Sequence, residues 1–159
     1  MQGDPKVIEM LNEALKAELT AINQYWLHYR LLDNWGVTKL AAFERAESID
    51  EMKHADKFAE RILFLEGLPN FQALGRLRIG ENVEEVLKAD LEAELEAVAM
   101  YKEGVAYCES VRDYVSRDLF AEVLRDEEGH VEKIETQVEM IARMGLQNYV
   151  QLQSESIEG

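Results

Sequence analysis

Cysteine is nearly absent from this chain. A single residue, Cys108, in 159 excludes an internal disulfide and any cysteine-built zinc or iron–sulfur ligand set within the chain. It reads as a small, partly buried helix residue. Only two prolines occur, Pro5 and Pro69, so the rest of the backbone is free to run as long helices. Basic residues are outnumbered, 17 Lys and Arg against 32 Asp and Glu, and the net charge is −15. That balance argues against binding a nucleic-acid backbone and suits the attraction of cations, although a solubilising acidic surface explains the charge equally well. No run of about 18 apolar residues exists, so no membrane span is expected. The N-terminal MQGDPKVIEM lacks an apolar signal region, and the expected location is the cytoplasm. Histidine is scarce too, at three residues.

The residues that are present read as helix. Hydrophobic residues make up 47% and charged residues 31%, a globular composition that fits one domain over residues 1–159. Asp4 is a good N-cap with Pro5 at the first helical position, and Ile8, Leu11, Leu15, Leu19, Ile22 and Trp26 recur as a stripe before Gly36 closes the helix. The sequence predicts helices over about 5–34, 38–66, 83–112, 114–144 and 147–154. Thr38 is the expected cap of the second and Gly67 its stop. Asn82 caps the third, with Glu84 and Glu85 in its positive first turn, and Asp113 or Ser116 starts the fourth. The segment NFQALGRLRIGEN has no sustained period and reads as a long crossover. The fold class is therefore all-α, a four-helix bundle with one crossover and a short fifth helix. Strict heptads are missing, which disfavours an extended coiled coil.

Two of the three histidines sit in a repeated pattern, DEMKHAD from Asp50 and DEEGH from Asp126. Composition alone gives about 0.02 chance occurrences of D-E-x-x-H in this length. The chain also matches itself at a shift of 76: Ala17, Glu18, Leu19, Ala21 and Tyr25 fall on Ala93, Glu94, Leu95, Ala97 and Tyr101, and Asp50, Glu51 and His54 fall on Asp126, Glu127 and His130. The halves read as related helix pairs about a pseudo-twofold axis. Residues three apart share a helix face, so Glu51 with His54 and Glu127 with His130 face the bundle axis, and Glu18 and Glu94 join them from the other two helices. Four buried carboxylates carry −4, and unpaired they would each be destabilised by several kcal/mol. Two divalent ions carry +4. The arithmetic closes on a dinuclear metal site, and oxygen-rich donors with one nitrogen per metal suit iron or manganese, with zinc a further occupant. This ligand pattern is the general one of ferritin-like di-iron bundles.

With that ligand set, the chain resembles a bacterioferritin over essentially its whole length. The resemblance is carried by MQGDPKVIEMLN, AINQYWLH, ESIDEMKHAD, ERILFLEGLPN, DYVSRD, LRDEEGH and GLQNY. It implies a ferritin-like fold and an iron-storage ferroxidase that oxidises Fe²⁺ with O₂ or H₂O₂. It implies a di-iron centre of Glu18, Glu51, His54, Glu94, Glu127 and His130, in which Glu51 and Glu127 bridge, Glu18 with His54 completes one iron, and Glu94 with His130 completes the other. It further implies a homo-24-mer cage storing ferric mineral, haem b held by Met52 from each of two subunits, a ferredoxin as a partner for iron release, and a place for Tyr25 beside the irons. The rival on the same bundle is a di-iron oxygenase or peroxidase.

Other residues are weaker cases. Met52 lies about 100° around its helix from Glu51, and packing at an interface is its plain reading. Tyr25 and Tyr101 share faces with Glu18 and Glu94, as core aromatics with a bonded hydroxyl or as neighbours of the metals. Asp50 and Asp126 are outer acceptors for imidazole N–H or solvated carboxylates. Some relatives carry histidine where this chain has Ala46, which cannot ligate, so an inner-wall iron site is not expected. His28 falls outside the repeat and reads as a surface or interface residue.

Overall fold

The computed structural model describes residues 1–157, and the elements among them are five helices: α1 (Pro5–Asn34), α2 (Thr38–Phe64), α3 (Val83–Ser110), α4 (Tyr114–Met144) and α5 (Leu146–Leu152). No helix is long and apolar enough to cross a membrane. α1 packs along α2 and α3 along α4, and the two hairpins meet through α1–α3 and α2–α4. This is the expected four-helix bundle with a single crossover, residues 65–82.

Capping explains most of the boundaries. The Asp4 carboxylate accepts from the amides of Lys6 at 2.8 Å and Val7 at 3.1 Å, with Pro5 following at N1. Asn82 accepts from Glu85 N at 2.9 Å and donates to the Glu85 carboxylate at 2.6 Å, a reciprocal cap with Glu84 and Glu85 in the first turn. Asp113, not Ser116, caps α4, by accepting from Ser116 N at 3.0 Å.

Two expected ends differ. Thr38 does not cap α2: no side chain does, and the Thr38 hydroxyl accepts from Glu155 N at 3.2 Å, tying down the segment after α5. α2 stops at Phe64, where Glu66 takes the left-handed turn at φ 66° and Gly67 N–H returns to the Ile62 carbonyl at 2.9 Å. The backbone thus turns one residue before Gly67, the expected stop, at a residue that carries a side chain.

Apolar residues fill two ends of the bundle. One cluster holds Leu11, Leu15, Phe58, Tyr101 and Phe120, and the other Leu32, Leu40, Val86, Ile134 and Tyr149. Burying each such side chain stabilises the fold by about 1.5–3 kcal/mol. Cys108 is buried in the first cluster, and burial pushes its thiol up to about 11. The inward stripe of α1 is rotated from the expected one. It runs through Val7, Leu11, Ala14, Glu18, Tyr25, His28 and Leu32, and Trp26 is 41% exposed. Leu19 and Ile22 are partly buried against the first cluster, and Ile22 and Trp26 line a groove shared with α2 and the crossover.

The crossover is not a slack connection. Gly75 N donates to Thr20 Oγ1 at 2.8 Å, Arg78 N to Gln24 Oε1 at 3.0 Å, and Gly80 N to His28 Nε2 at 3.0 Å. Thr20, Gln24 and His28 are spaced by four, so one face of α1 carries three successive anchors.

Candidate metal centre

Between the two apolar clusters lies a polar layer. α1 supplies Glu18, α2 Glu51 and His54, α3 Glu94, and α4 Glu127 and His130, all at 5% exposure or less. Their donor atoms form two overlapping groups, Glu18–Glu51–His54–Glu127 and Glu51–Glu94–Glu127–His130, and within each group the atoms all lie within 4.8 Å of one another. Glu51 and Glu127 belong to both groups. The structure thus brings together the six side chains that the repeat singles out.

Each imidazole turns Nδ1 inward. His54 Nδ1 lies 3.0 Å from Glu127, 3.5 Å from Glu51 and 3.6 Å from Glu18. His130 Nδ1 lies 3.3 Å from Glu51, 3.3 Å from Glu127 and 3.6 Å from Glu94. Nε2 points outward to a second carboxylate. For His54 this is Asp126, at 2.9 Å. For His130 the repeat nominates Asp50, but Asp50 is 3.8 Å away, and Glu47, one turn earlier on α2, takes its place at 2.9 Å. That contact is at ion-pair distance, although Glu47 Oε2 is not aligned as a hydrogen-bond acceptor. Both tyrosines close on the cluster: Tyr25 donates to Glu94 Oε1 and Tyr101 to Glu18 Oε1, each at 2.5 Å.

The inner oxygens are left over. Glu18 Oε2, Glu51 Oε1, Glu94 Oε2, Glu127 Oε2 and His130 Nδ1 are buried and hydrogen-bond to nothing among the described residues. Burial raises the pKa values of Glu18, Glu51 and Glu94, and neighbouring carboxylates reinforce it at all three. Burial also pushes Glu127 upward, but the close approach of Glu94, His130 and His54 prevails and holds it well below the usual carboxylate range. At both histidines burial favours the uncharged ring, and the surrounding carboxylates overturn it, so each imidazole retains a proton. Lysine is absent from this layer: the only cationic partners within 4.0 Å of the four inner glutamates, among the described residues, are the two histidines. Protons are therefore what neutralise the layer when no cation is bound, and the same oxygens could hold metal ions in their place.

The layer is reached from two sides. A cavity of about 280 Å³ between α1 and α3 is lined by Glu18, Glu51 and Glu94 and passes Lys16 and Arg76. On the opposite face a groove between α2 and α4 reaches His54 and His130, flanked by Asp50, Asp126, Lys53 and Lys133. Met52 stands away from the polar layer, 56% exposed, over an apolar groove of about 690 Å³ lined by Ile22, Trp26, Leu27, Ile49 and Leu77.

His28 corrects the sequence reading. It is fully buried, with Nδ1 2.9 Å from Asp90 Oδ1, and Asp90 Oδ1 also accepts from Gln24 Nε2 at 3.0 Å. Glu44 and Glu47 are buried beside it. None of these residues repeats at the 76-residue shift, so the pattern that locates the six-residue layer passes over them.

A Ferritin-like domain model matches residues 8–144. The chain is 58% identical over 152 residues to a bacterioferritin of Brucella melitensis and 53% identical over 152 residues to one of Rhodobacter capsulatus, each alignment covering 96% of this chain and 94% of the relative. A solved structure of Rhodobacter capsulatus bacterioferritin superposes with a TM-score of 0.99 at 50% identity, covering 100% of this chain and 99% of the other. That protein is described with a metal-free dinuclear site and a haem iron in a crystallographic special position.

Proposed function

Because the chain belongs to the bacterioferritin family, we propose that it stores iron and acts as a ferroxidase, with Glu18, Glu51, His54, Glu94, Glu127 and His130 binding two Fe²⁺ as substrate. One observation carries the reading: two overlapping donor groups share Glu51 and Glu127, and their unsatisfied oxygens converge. The shared pair bridges the two irons. Glu18 with His54 serves one iron, and Glu94 with His130 serves the other. Carboxylate oxygens favour the higher charge and so ease the loss of one electron from each ion. With O₂ the balance is two Fe²⁺, one O₂ and two H⁺ giving two Fe³⁺ and one H₂O₂. With H₂O₂ as oxidant, two Fe²⁺, one H₂O₂ and two H⁺ give two Fe³⁺ and two H₂O.

The chain's own groups set up this step. Tyr25 and Tyr101 hold one oxygen each of Glu94 and Glu18, which fixes the direction of the other. The protons displaced by Fe²⁺ from the imidazoles and raised carboxyls leave through the two openings of the layer. Fe²⁺ enters through the α1–α3 cavity, and ferric product departs past the histidines on the α2–α4 face, which we place toward the interior of a homo-24-mer cage in the cytoplasm. A reduced ferredoxin is the proposed partner for iron release.

The residues present also fit haem b. Met52 offers an exposed thioether over an apolar groove suited to a porphyrin face, and its counterpart at the 76-residue shift is Glu128, so this feature is not imposed by the repeat. Met52 from each of two copies related by a twofold would hold the haem, and the haem iron of the Rhodobacter capsulatus protein lies in a crystallographic special position. Bound there, the haem supplies a one-electron carrier.

The test is native particle mass together with iron retained after aerobic loading with Fe²⁺. A large closed assembly that keeps ferric iron is expected. A monomer or dimer that turns over without retaining iron would favour the di-iron oxygenase or peroxidase reading.

A further inference from the structure

We propose that Glu44 and Asp90, held by His28, form a third cation site in the bundle interior, one that takes a single hard divalent ion through carboxylate oxygens. His28, Glu44 and Asp90 come from α1, α2 and α3, are at most 1% exposed, and place one donor atom each within 4.8 Å of the others. Metal–oxygen bonds of about 2.0–2.6 Å put ligand atoms on opposite sides of a hard ion roughly 4–5 Å apart, and the Glu44 and Asp90 oxygens of this group are no farther apart than 4.8 Å.

Hydrogen bonding decides which atoms remain for an ion. Gly80 N–H donates to His28 Nε2, so the ring proton resides on Nδ1 and is given to Asp90 Oδ1. His28 therefore positions Asp90 and does not ligate. Gln24 Nε2 holds the same Asp90 oxygen. Three buried oxygens receive no N–H or O–H from the described residues: Asp90 Oδ2 and both oxygens of Glu44, two carboxyls that face each other. The dinuclear layer shows the same mark, inward carboxylate oxygens that nothing in the protein satisfies. Burial, then the charge of Asp90 and a hydrogen bond between the two carboxyls, then the charges of Glu47 and Glu94, push Glu44 well above the usual carboxylate range. A proton shared between Glu44 and Asp90 satisfies two of the three oxygens, whereas a divalent ion satisfies all three and neutralises both charges.

The internal repeat supplies a control. At the 76-residue shift Asp90, His28, Glu44 and Glu47 fall on Ala14, Gly104, Phe120 and Val123. Ala14, Phe120 and Val123 belong to the apolar core, and Gly104 backs onto the Phe120 ring. The fold thus builds the equivalent place at its other end from apolar residues, so the bundle does not require acids there. Gly80 is fixed as well: a Cβ on it would lie 2.3 Å from Val86 N, so the amide that sets the His28 tautomer comes from a residue without a side chain. Gln24, which holds Asp90 Oδ1, also lines the α1–α3 cavity that reaches Glu18 and Glu94.

Manganese is the probe. Crystals of the full assembly soaked in Mn²⁺ are expected to show an anomalous peak between Glu44 and Asp90, in addition to those in the dinuclear layer. Equilibrium dialysis is expected to give one Mn²⁺ fewer per chain for Glu44→Gln than for the unsubstituted protein, with the dinuclear peaks retained. No peak between Glu44 and Asp90 at saturating Mn²⁺, with their oxygens at hydrogen-bond distance, would mean a shared proton and overturn the proposal. An unchanged stoichiometry in Glu44→Gln would overturn it too. Because the dinuclear peaks are read in the same map, loss of the two-metal reading and loss of this one are told apart.

Discussion

His130 Nε2 lies 2.9 Å from Glu47, whereas Asp50, the residue that the internal symmetry assigns to it, is 3.8 Å away. The other half of the layer keeps the symmetric choice, His54 with Asp126 at 2.9 Å. Carboxylates behind metal-binding imidazoles typically contribute 10–100-fold in affinity. Glu47→Gln is therefore expected to weaken the His130-side metal by about that factor, and Asp50→Asn by much less. Asp126→Asn weakens the His54 side, but less than Glu47→Gln affects its own, because Asp126 is half exposed and water replaces it. Co²⁺ titration followed by its visible bands measures all three. Equal losses for Asp50→Asn and Glu47→Gln would contradict the assignment.

The two tyrosines make matched predictions. Tyr25→Phe leaves Glu94 Oε1 without its 2.5 Å donor, and Tyr101→Phe does the same to Glu18. Each leaves a buried carboxylate oxygen bare, at a cost of about 1–3 kcal/mol when no metal balances it. Both variants are expected to retain two metals per chain while lowering affinity, one mainly at each metal. A loss confined to Tyr25→Phe would show that the pseudo-twofold relation does not extend to the hydroxyls.

Metal binding is expected to strengthen with pH. In the metal-free protein Glu18, Glu51 and Glu94 have folded values raised above 4.5. Their contribution to stability is complete below that unfolded value and is lost as pH rises through the folded values. His54 and His130, raised above 6.5, act in the same sense over a higher range. Glu127, lowered, acts oppositely, adding stability above 4.5 that is lost as pH falls through its folded value. Five groups against one leave the metal-free layer losing stability toward neutral pH, and divalent ions replace the departing protons. The rise in Tm on adding Co²⁺ is therefore expected to be larger at about pH 7.5 than at about pH 5.5. A rise that does not grow with pH would contradict the proton–metal exchange.

Met52→Leu keeps the volume of an exposed side chain and removes its sulfur. It is expected to abolish the visible haem band while leaving helicity and the two-metal stoichiometry unchanged. A haem band of unchanged position and intensity would exclude Met52 as the axial ligand.

The six residues of the dinuclear layer were legible because the chain writes them twice. Two E-x-x-H turns and two further glutamates at matched offsets reveal a shared axis before any coordinates are seen. The bundle followed from long uninterrupted helices and one long connection. What was missed occurs only once. Glu44, Glu47, Asp90 and His28 have apolar or glycine counterparts at the repeat shift, so self-comparison discards them, and their burial depends on the crossover docking along α1. Trp26 misled because its hydrophobicity places it on a stripe, although the axis-facing positions of α1 are held by Glu18, Tyr25 and His28. Glu66 misled at the end of α2 because glycine stood next to it, and the backbone turned one residue earlier.

Stopped-flow oxidation of Fe²⁺ in Glu18→Ala and Glu127→Ala is the sharpest check on the whole reading. The unsubstituted protein is expected to show a fast phase consuming two Fe²⁺ per chain, and both variants are expected to lose it while their helical circular dichroism is retained. A fast phase of unchanged rate and amplitude in both variants would mean that the buried carboxylate layer is not where iron is oxidised.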